Sequence, residues 1–90
     1  MYASAKLEYP KTCRLTIKGS EYRGTKSEGN KNLPCQRWDS QEPNSHRFGD
    51  LASEENYCRN PDDDDEPWCY TTSDDERLQF CGIPMCKFLQ

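Results

Sequence analysis

The chain has 90 residues, of which 32% are hydrophobic and 31% are charged, so it holds too little apolar material for a large core. A domain of this kind needs disulfides, a metal or partners to hold its fold. No apolar run approaches the roughly 20 residues of a membrane-spanning helix, and the amino terminus lacks the apolar stretch of a signal peptide.

The net charge of -4 is distributed unevenly along the chain. Basic residues dominate residues 1–31, whereas residues 50–76 are strongly acidic. An acidic half repels phosphates, which argues against nucleic acid as the principal partner. The distribution favours a cationic ligand instead.

The predicted elements are short. Residues 13–17 alternate modestly and predict a strand, and residues 51–57 form the only plausible helical turn. Residues 68–72 are rich in aromatic and β-branched side chains and predict a second strand, with residues 77–80 as its antiparallel partner. We therefore predict a domain of mostly loops around a small antiparallel sheet.

An even number of cysteines in a short chain predicts a disulfide framework in an oxidising compartment. The six are Cys13, Cys35, Cys58, Cys69, Cys81 and Cys86. Zinc is the main rival, but zinc modules usually show two close ligand pairs, which this spacing lacks. We therefore predict three disulfides, no metal and no cofactor, although spacing alone leaves the connectivity open. A reduced, zinc-binding intracellular module is the alternative, and free thiols would support it.

Several short motifs lie around these cysteines. They are Tyr22-Arg23-Gly24-Thr25, Cys35-Gln36-Arg37-Trp38, Asn56-Tyr57-Cys58-Arg59-Asn60-Pro61-Asp62, Pro67-Trp68-Cys69-Tyr70-Thr71-Thr72 and Cys81-Gly82-Ile83-Pro84-Met85-Cys86. In this order they resemble the motifs of kringle domains, with the resemblance covering residues 13–86 and leaving 1–12 and 87–90 as flanks. The resemblance implies the disulfides Cys13–Cys86, Cys35–Cys69 and Cys58–Cys81.

The chain departs from the usual kringle pattern in two places. The stretch between Cys35 and Cys58 is shorter than usual, and Pro43-Asn44-Ser45-His46 stands where many kringles read Pro-His-x-His. Neither change touches a cysteine, so we expect the fold to be kept.

Many kringles bind lysine side chains or zwitterionic lysine analogues, and the resemblance implies which residues would do so here. Asp62 and Asp64 would accept the ammonium group, and Arg77 would bind a carboxylate at the far end of the ligand. Trp68 and Tyr70 would line the aliphatic stem, and their spacing on a strand places both on the same face.

Leu78 stands where lysine-binding kringles usually have an aromatic residue, and it offers apolar contact without a cation–π attraction. Phe48 stands where some kringles supply a second cation. We therefore expect an internal lysine or a basic surface to be accepted about as well as a C-terminal lysine. The five consecutive acids at 62–66 would steer basic partners. A solvated turn without a ligand and a calcium site are the alternatives for this run.

The sequence thus predicts a non-catalytic, monomeric, extracellular module, either secreted or part of an ectodomain, that docks its parent protein to lysine-bearing or basic surfaces. The alternative is a kringle of a receptor ectodomain or growth factor that acts as a spacer or protein contact without binding lysine. Paired cysteines leave no thiol nucleophile, and nothing near His46 resembles a serine triad.

Three further expectations concern individual side chains. Trp38 and Tyr57 should pack against the inner disulfides, and His46 should be structural or merely exposed. Arg59 and Asn60 should shape the turn before the acidic run. Sulfated glycan is a candidate partner for the basic residues Lys6, Lys11, Arg14, Lys18, Arg23, Lys26 and Lys31.

Overall fold

A computed structural model describes residues 10–87. Two strands, β1 (Trp68–Tyr70) and β2 (Leu78–Phe80), form a two-stranded antiparallel sheet, and a short 3-10 helix spans Gly49–Leu51. Turns, bends, isolated bridges and irregular segments make up the rest of the described chain. The predicted class, a small disulfide-rich domain of mostly loops around an antiparallel sheet, is confirmed. No helix among the described residues is long and apolar enough to cross a membrane.

The strand register separates two kinds of side chain. Trp68 pairs with Phe80, Cys69 with Gln79, and Tyr70 with Leu78. Because side chains alternate along a strand, one face of the hairpin carries Trp68, Tyr70, Leu78 and Phe80, which we call the aromatic face. The opposite face carries Cys69 and Gln79.

Disulfides build the core behind the aromatic face. The bridges are Cys13–Cys86, Cys35–Cys69 and Cys58–Cys81, as the resemblance implied. The two inner bridges touch, with Cys35 Sγ 4.0 Å from Cys58 Sγ. Tyr22 and Ile83 are buried in the same cluster. We call the sulfurs of Cys35, Cys58, Cys69 and Cys81 the sulfur core.

A second cluster lies on the aromatic face. It consists of Trp38, Phe48, Trp68 and Tyr70, with Leu51 and Phe80 packed against it. Trp38 belongs here, with its ring 5.5 Å from that of Trp68, so the prediction that it packs against the inner disulfides is wrong. The reason is the strand alternation, which points Trp68 away from the side of the sheet where Cys69 lies.

Other side chains anchor the surroundings of this cluster. The Trp38 indole Nε1–H donates to the Tyr57 carbonyl oxygen at 2.7 Å. Tyr57 itself is half-buried, with the Arg59 guanidinium carbon 5.4 Å from its ring centroid. Arg59 therefore bridges the loop before the acidic run to the aromatic side chains around it.

Two sequence predictions of local structure need correction. Residues 13–17 form no strand, and within them Arg14 makes an isolated bridge to Met85. The backbone N–H groups of Leu15 and Thr16 are instead satisfied by the Glu21 carboxylate, at 2.7 and 3.4 Å. The helical turn expected at residues 51–57 is displaced, because the 3-10 helix already ends at Leu51 and turns follow it.

Candidate functional site

The acidic run begins in a loop that Asn60 holds in shape. The Asn60 side-chain amide donates to the carbonyl oxygens of Lys18, at 2.7 Å, and Asp64, at 2.9 Å. Its Oδ1 accepts the backbone N–H of Asp64 at 2.9 Å. Asn60 is buried, so these hydrogen bonds are shielded from water. The prediction that Asn60 shapes this turn through its side chain is confirmed.

The two predicted ammonium ligands differ in their surroundings. Asp62 is exposed, and its Oδ1 accepts the Trp68 indole N–H at 3.0 Å. Asp64 is half-buried, and its Oδ1 accepts the backbone N–H of Asp65 at 2.7 Å. Among the described residues, Oδ2 of each carboxylate receives no hydrogen bond. Each carboxylate is thus oriented through one oxygen while the other is available to a cation.

Trp68 and Tyr70 lie side by side on the aromatic face, with ring centroids 4.9 Å apart and planes at 83°. They are 2% and 7% exposed, so they form a packed floor rather than two open walls. The Tyr70 ring is enclosed by the stacked His46 ring at 5.3 Å and by the edge of Trp38 at 6.0 Å. Little of either ring is therefore open to a ligand stem.

Arg77 lies at the Tyr70 end of the floor. Its guanidinium carbon is 5.1 Å from the Tyr70 ring centroid, and the group donates to Ser45 O at 3.1 Å and to Asn44 Oδ1 at 3.4 Å. Leu78, opposite Tyr70 in the sheet, is 38% exposed. Asn44 and Ser45 thus hold the Arg77 guanidinium in place, and Leu78 supplies exposed apolar surface beside it.

The charged groups sit at opposite ends of the aromatic pair. Asp62 is tied to Trp68, and Arg77 lies over Tyr70. Two residues of strand separate the Cα atoms of Trp68 and Tyr70 by about 7 Å. That spacing matches the order of length of a four- or five-carbon chain with an ammonium at one end.

His46 and Phe48 complete the cluster, and sequence reasoning did not place His46 beside the site. Nδ1 of His46 accepts the Phe48 backbone N–H at 3.0 Å, so the ring proton is on Nε2 and donates to Ser40 O at 2.9 Å. Phe48 is buried, and the Arg47 guanidinium carbon lies 4.9 Å from its ring centroid. His46 is therefore structural, as expected, and the sequence carries no local signal for its contact with Tyr70.

The candidate glycan-binding residues are largely engaged within the chain. Lys18 pairs with Asp63 at 3.2 Å, and Lys31 pairs with Glu76. Lys26 Nζ donates to the Cys81 carbonyl oxygen at 2.6 Å. Lys6 lies outside the described residues. The contacts of these three lysines give the glycan hypothesis no support.

The acidic run does not gather into a metal site among residues 10–87. A group of at least three potential ligands comes together elsewhere in the described chain, in the sulfur core. The calcium alternative for residues 62–66 thus finds no support in the geometry.

Fold and site together define a small triple-disulfide binding module, with its charged groups arranged around a packed aromatic face. Residues 13–86 match the family model described as Kringle domain. The match covers most of the chain, and the chain belongs to the kringle family. Kringle domains are non-catalytic modules that bind proteins, and with their disulfides they are typically extracellular.

Proposed function

We propose that this kringle binds lysine side chains of basic protein surfaces at the aromatic face and so docks its parent protein to them. One observation carries the proposal: opposite charges lie at the two ends of the Trp68–Tyr70 pair, with Asp62 hydrogen-bonded to Trp68 and Arg77 over Tyr70. The parent would be a secreted protein or the ectodomain of a cell-surface protein.

The ammonium group is expected at the Trp68 end. Asp62 Oδ2 is the first acceptor, because the indole N–H orients the carboxylate through Oδ1. Asp64 is the second acceptor, and Asn60 positions its backbone. The neighbouring acids of the run add to the negative potential that attracts basic partners. Because Asp62 is exposed, water screens its attraction, so its contribution to affinity lies at the lower end of the range for charged hydrogen bonds.

Binding of a ligand carboxylate at the Arg77 end is expected to be weaker than binding of the ammonium. Arg77 already donates to Ser45 and Asn44, although a guanidinium has further N–H donors. A ligand carboxylate would gain part of its hydrogen bonds from a cation that is already in use. An internal lysine, which brings no carboxylate, therefore loses little relative to a C-terminal one.

A second function is favoured by the burial of Trp68 and Tyr70. With little of either ring open to solvent and with leucine at position 78, the aromatic face can act as a stabilising core. In that case the module is a spacer or contacts proteins through another surface. The titration below separates the two functions.

The test is a titration of the oxidised chain with 6-aminohexanoic acid and with hexylamine, followed by amide NMR shifts. We expect saturable shifts at Asp62, Asp64, Trp68 and Tyr70 at ligand concentrations on the order of 1 mM. Asp62→Asn should weaken binding by about 10-fold, the effect of losing one charged hydrogen bond of about 1.4 kcal/mol. The asparagine can still accept the Trp68 indole N–H, so the loop should keep its shape.

Asp65→Asn is the matched control. It removes the same charge from the same loop while leaving Asp62 and Asp64 unchanged, so it should weaken binding less than 3-fold, as general charge effects do. Equal losses in the two variants would show nonspecific attraction to an acidic loop. Absence of shifts with both ligands would overturn lysine recognition and favour the spacer function.

A further inference from the structure

We propose that a small cavity beside the loop that Asn60 holds is a carboxylate-binding subsite, which receives one aspartate or glutamate side chain of a partner protein. The cavity has a volume of about 40 Å³, and two arginines are among the residues that line it. Its lining residues are Ser20, Arg23, Leu51, Arg59, Asn60 and Pro61. None of the side chains proposed to hold lysine takes part, so this inference is independent of lysine recognition.

Arg23 supplies the unbalanced positive charge of the cavity. Its Nη1 donates to the carbonyl oxygens of Ser20 and Tyr22, both at 2.8 Å, so the backbone holds the guanidinium in place. Within residues 10–87 Arg23 makes no salt bridge, and its Nη2 and Nε groups donate to no acceptor. A guanidinium that is already fixed and still has N–H groups available can bind a carboxylate with little ordering cost.

Arg59 adds a second guanidinium, whose charge is balanced by Glu54. Its Nε donates to Glu54 Oε1 at 2.7 Å, and its Nη1 donates to the carbonyl oxygens of Gly24 and Cys58 at 2.8 and 2.7 Å. Its Nη2 has no hydrogen-bond partner in the described chain, yet Gln79 Oε1 is the only enclosed side-chain atom there without one. The Nη2 edge of Arg59 is therefore open to solvent. Because Arg59 is only 5% exposed and lines the cavity, this edge is what it offers to a ligand there.

The backbone N–H of Asn60 is a third donor without a partner. Arg59 and Trp68 exchange both of their backbone hydrogen bonds, at 3.0 and 2.9 Å, so the N–H of the following residue points away from β1. Asn60 is 6% exposed, and its N–H donates to no acceptor among residues 10–87. Buried N–H groups without a partner are rare, so this group is left for an acceptor from outside the chain.

The size of the cavity favours a carboxylate over a sulfate ester. A water molecule needs about 10–15 Å³ of cavity volume, so the available space holds about three groups of that size. A carboxylate has three non-hydrogen atoms, whereas a sulfate ester group has five. Half-buried Leu51 and Pro61 provide apolar surface for the methylene groups of an acidic side chain. The planar donors of arginine match the two carboxylate oxygens, so an acidic protein side chain suits both the donors and the space.

The test is an amide NMR titration of the oxidised chain at low salt with N-acetylglutamate N-methylamide and, as its neutral isostere, the glutamine analogue. We expect saturable shifts at Ser20, Arg23 and Asn60 with a dissociation constant on the order of 10 mM, and binding of the glutamine analogue at least about 10-fold weaker. Absence of saturable shifts, or equal binding of the two probes, would overturn the proposal. Methyl sulfate is the third probe, and binding as tight as that of the glutamate analogue would overturn the assignment to a protein carboxylate and indicate a sulfated glycan.

Two arginine variants distinguish the cavity from general attraction to positive charge. Arg23→Gln changes an exposed side chain, so the fold should be kept, and it should weaken binding of the glutamate analogue about 10-fold, the effect of losing a charged hydrogen bond. Arg47→Gln is the matched control, since Arg47 is also exposed and without a salt bridge in the described chain but lies against Phe48. It should weaken binding less than about 3-fold. Equal losses in the two variants, or unchanged affinity in Arg23→Gln, would contradict the proposal.

Discussion

At the scale of single residues, Glu21 organises the segment that follows the first cysteine. Its Oε2 accepts the Leu15 backbone N–H at 2.7 Å, and its Oε1 accepts the Thr16 hydroxyl at 2.6 Å. Burial by itself raises the pKa of Glu21, but the hydrogen bonds from Thr16 and the backbone together outweigh it and lower the pKa below its ordinary value. In the folded state the ionised carboxylate therefore accepts backbone N–H groups that would otherwise pair with a neighbouring strand.

This arrangement predicts an acid-dependent loss of stability. Because the folded pKa is lowered, the stabilisation by Glu21 is present above the unfolded value of about 4.3 and is lost as pH falls through the folded pKa. Glu21→Gln should lower the free energy of unfolding by about 1 kcal/mol at pH 7 and make it less dependent on pH between about 5 and 3. Denaturant unfolding at several pH values measures both effects.

Glu28→Gln is the control, since Glu28 is also a glutamate of the amino-terminal third but is exposed. It should leave the pH dependence of unfolding unchanged. If the free energy of unfolding of Glu21→Gln fell with decreasing pH as much as that of the parent chain, the carboxylate hydrogen bonds would contribute nothing to stability.

Gly24 is required by close contacts rather than by a turn. A glycine within Tyr22-Arg23-Gly24-Thr25 would ordinarily be explained by a tight backbone turn. In the structure a Cβ at position 24 would lie 2.1 Å from the Lys11 carbonyl oxygen and 2.3 Å from the Tyr22 hydroxyl. Glycine is needed there because the Lys11 backbone and the Tyr22 ring approach it closely, and the contact with Lys11 is one that no local pattern encodes.

At the scale of elements, the β1–β2 hairpin decides which side chains can form the site. Its alternation was readable from the sequence and places Trp68, Tyr70 and Leu78 on one face. Packing then closes most of the tryptophan and tyrosine surface and leaves Leu78 open. Leu78 is therefore the position at which a substitution can add aromatic surface without disturbing the core.

Leu78→Tyr should strengthen binding of 6-aminohexanoic acid by about 2- to 5-fold, because a tyrosine ring beside Tyr70 would bury roughly 20–40 Å² more of the aliphatic stem at about 25 cal/mol per Å². NMR titration of both proteins measures the change. Met85→Tyr is the matched control, since Met85 is likewise an exposed apolar residue but lies outside the hairpin. An equal gain in both variants, or none in Leu78→Tyr, would show that the leucine does not border the ligand.

At the scale of the whole molecule, the hairpin separates the sulfur core from the aromatic cluster, and the three bridges do different work. Cys13–Cys86 ties residues 73 apart in sequence at the edges of the domain, whereas Cys35–Cys69 is buried and ties residues 34 apart. The outer bridge closes a loop about twice as long as that of Cys35–Cys69, and this difference in loop-closure entropy adds only about 0.6 kcal/mol to its stabilisation. A cavity beside the second inner bridge costs more than that, on the order of 2 kcal/mol.

The loss in free energy of unfolding on removing a bridge should therefore follow how deeply the bridge is buried rather than how long a loop it closes. Cys13→Ala/Cys86→Ala should lower the free energy of unfolding by about 2–4 kcal/mol and keep the near-ultraviolet circular dichroism of the tryptophans. Cys35→Ala/Cys69→Ala should cost more and weaken that signal, because both sulfurs are buried beside Cys58. Chemical denaturation of the oxidised variants measures the order, and a larger loss from the outer pair would contradict it.

Local patterns determined much of this protein. The cysteine count and the motifs around Cys58 and Cys69 identified the family and hence the disulfide pairing, and residue alternation located the hairpin. Those features depend on residues that are neighbours in the chain, so they can be predicted from the sequence. The tertiary structure alone decided that Trp38 joins the aromatic cluster, that His46 stacks on Tyr70, that Arg77 is held by Asn44 and Ser45, and that four sulfurs converge. Each of these depends on loops that close between residues distant in sequence, and loop closure is governed by packing of the whole molecule rather than by any local period.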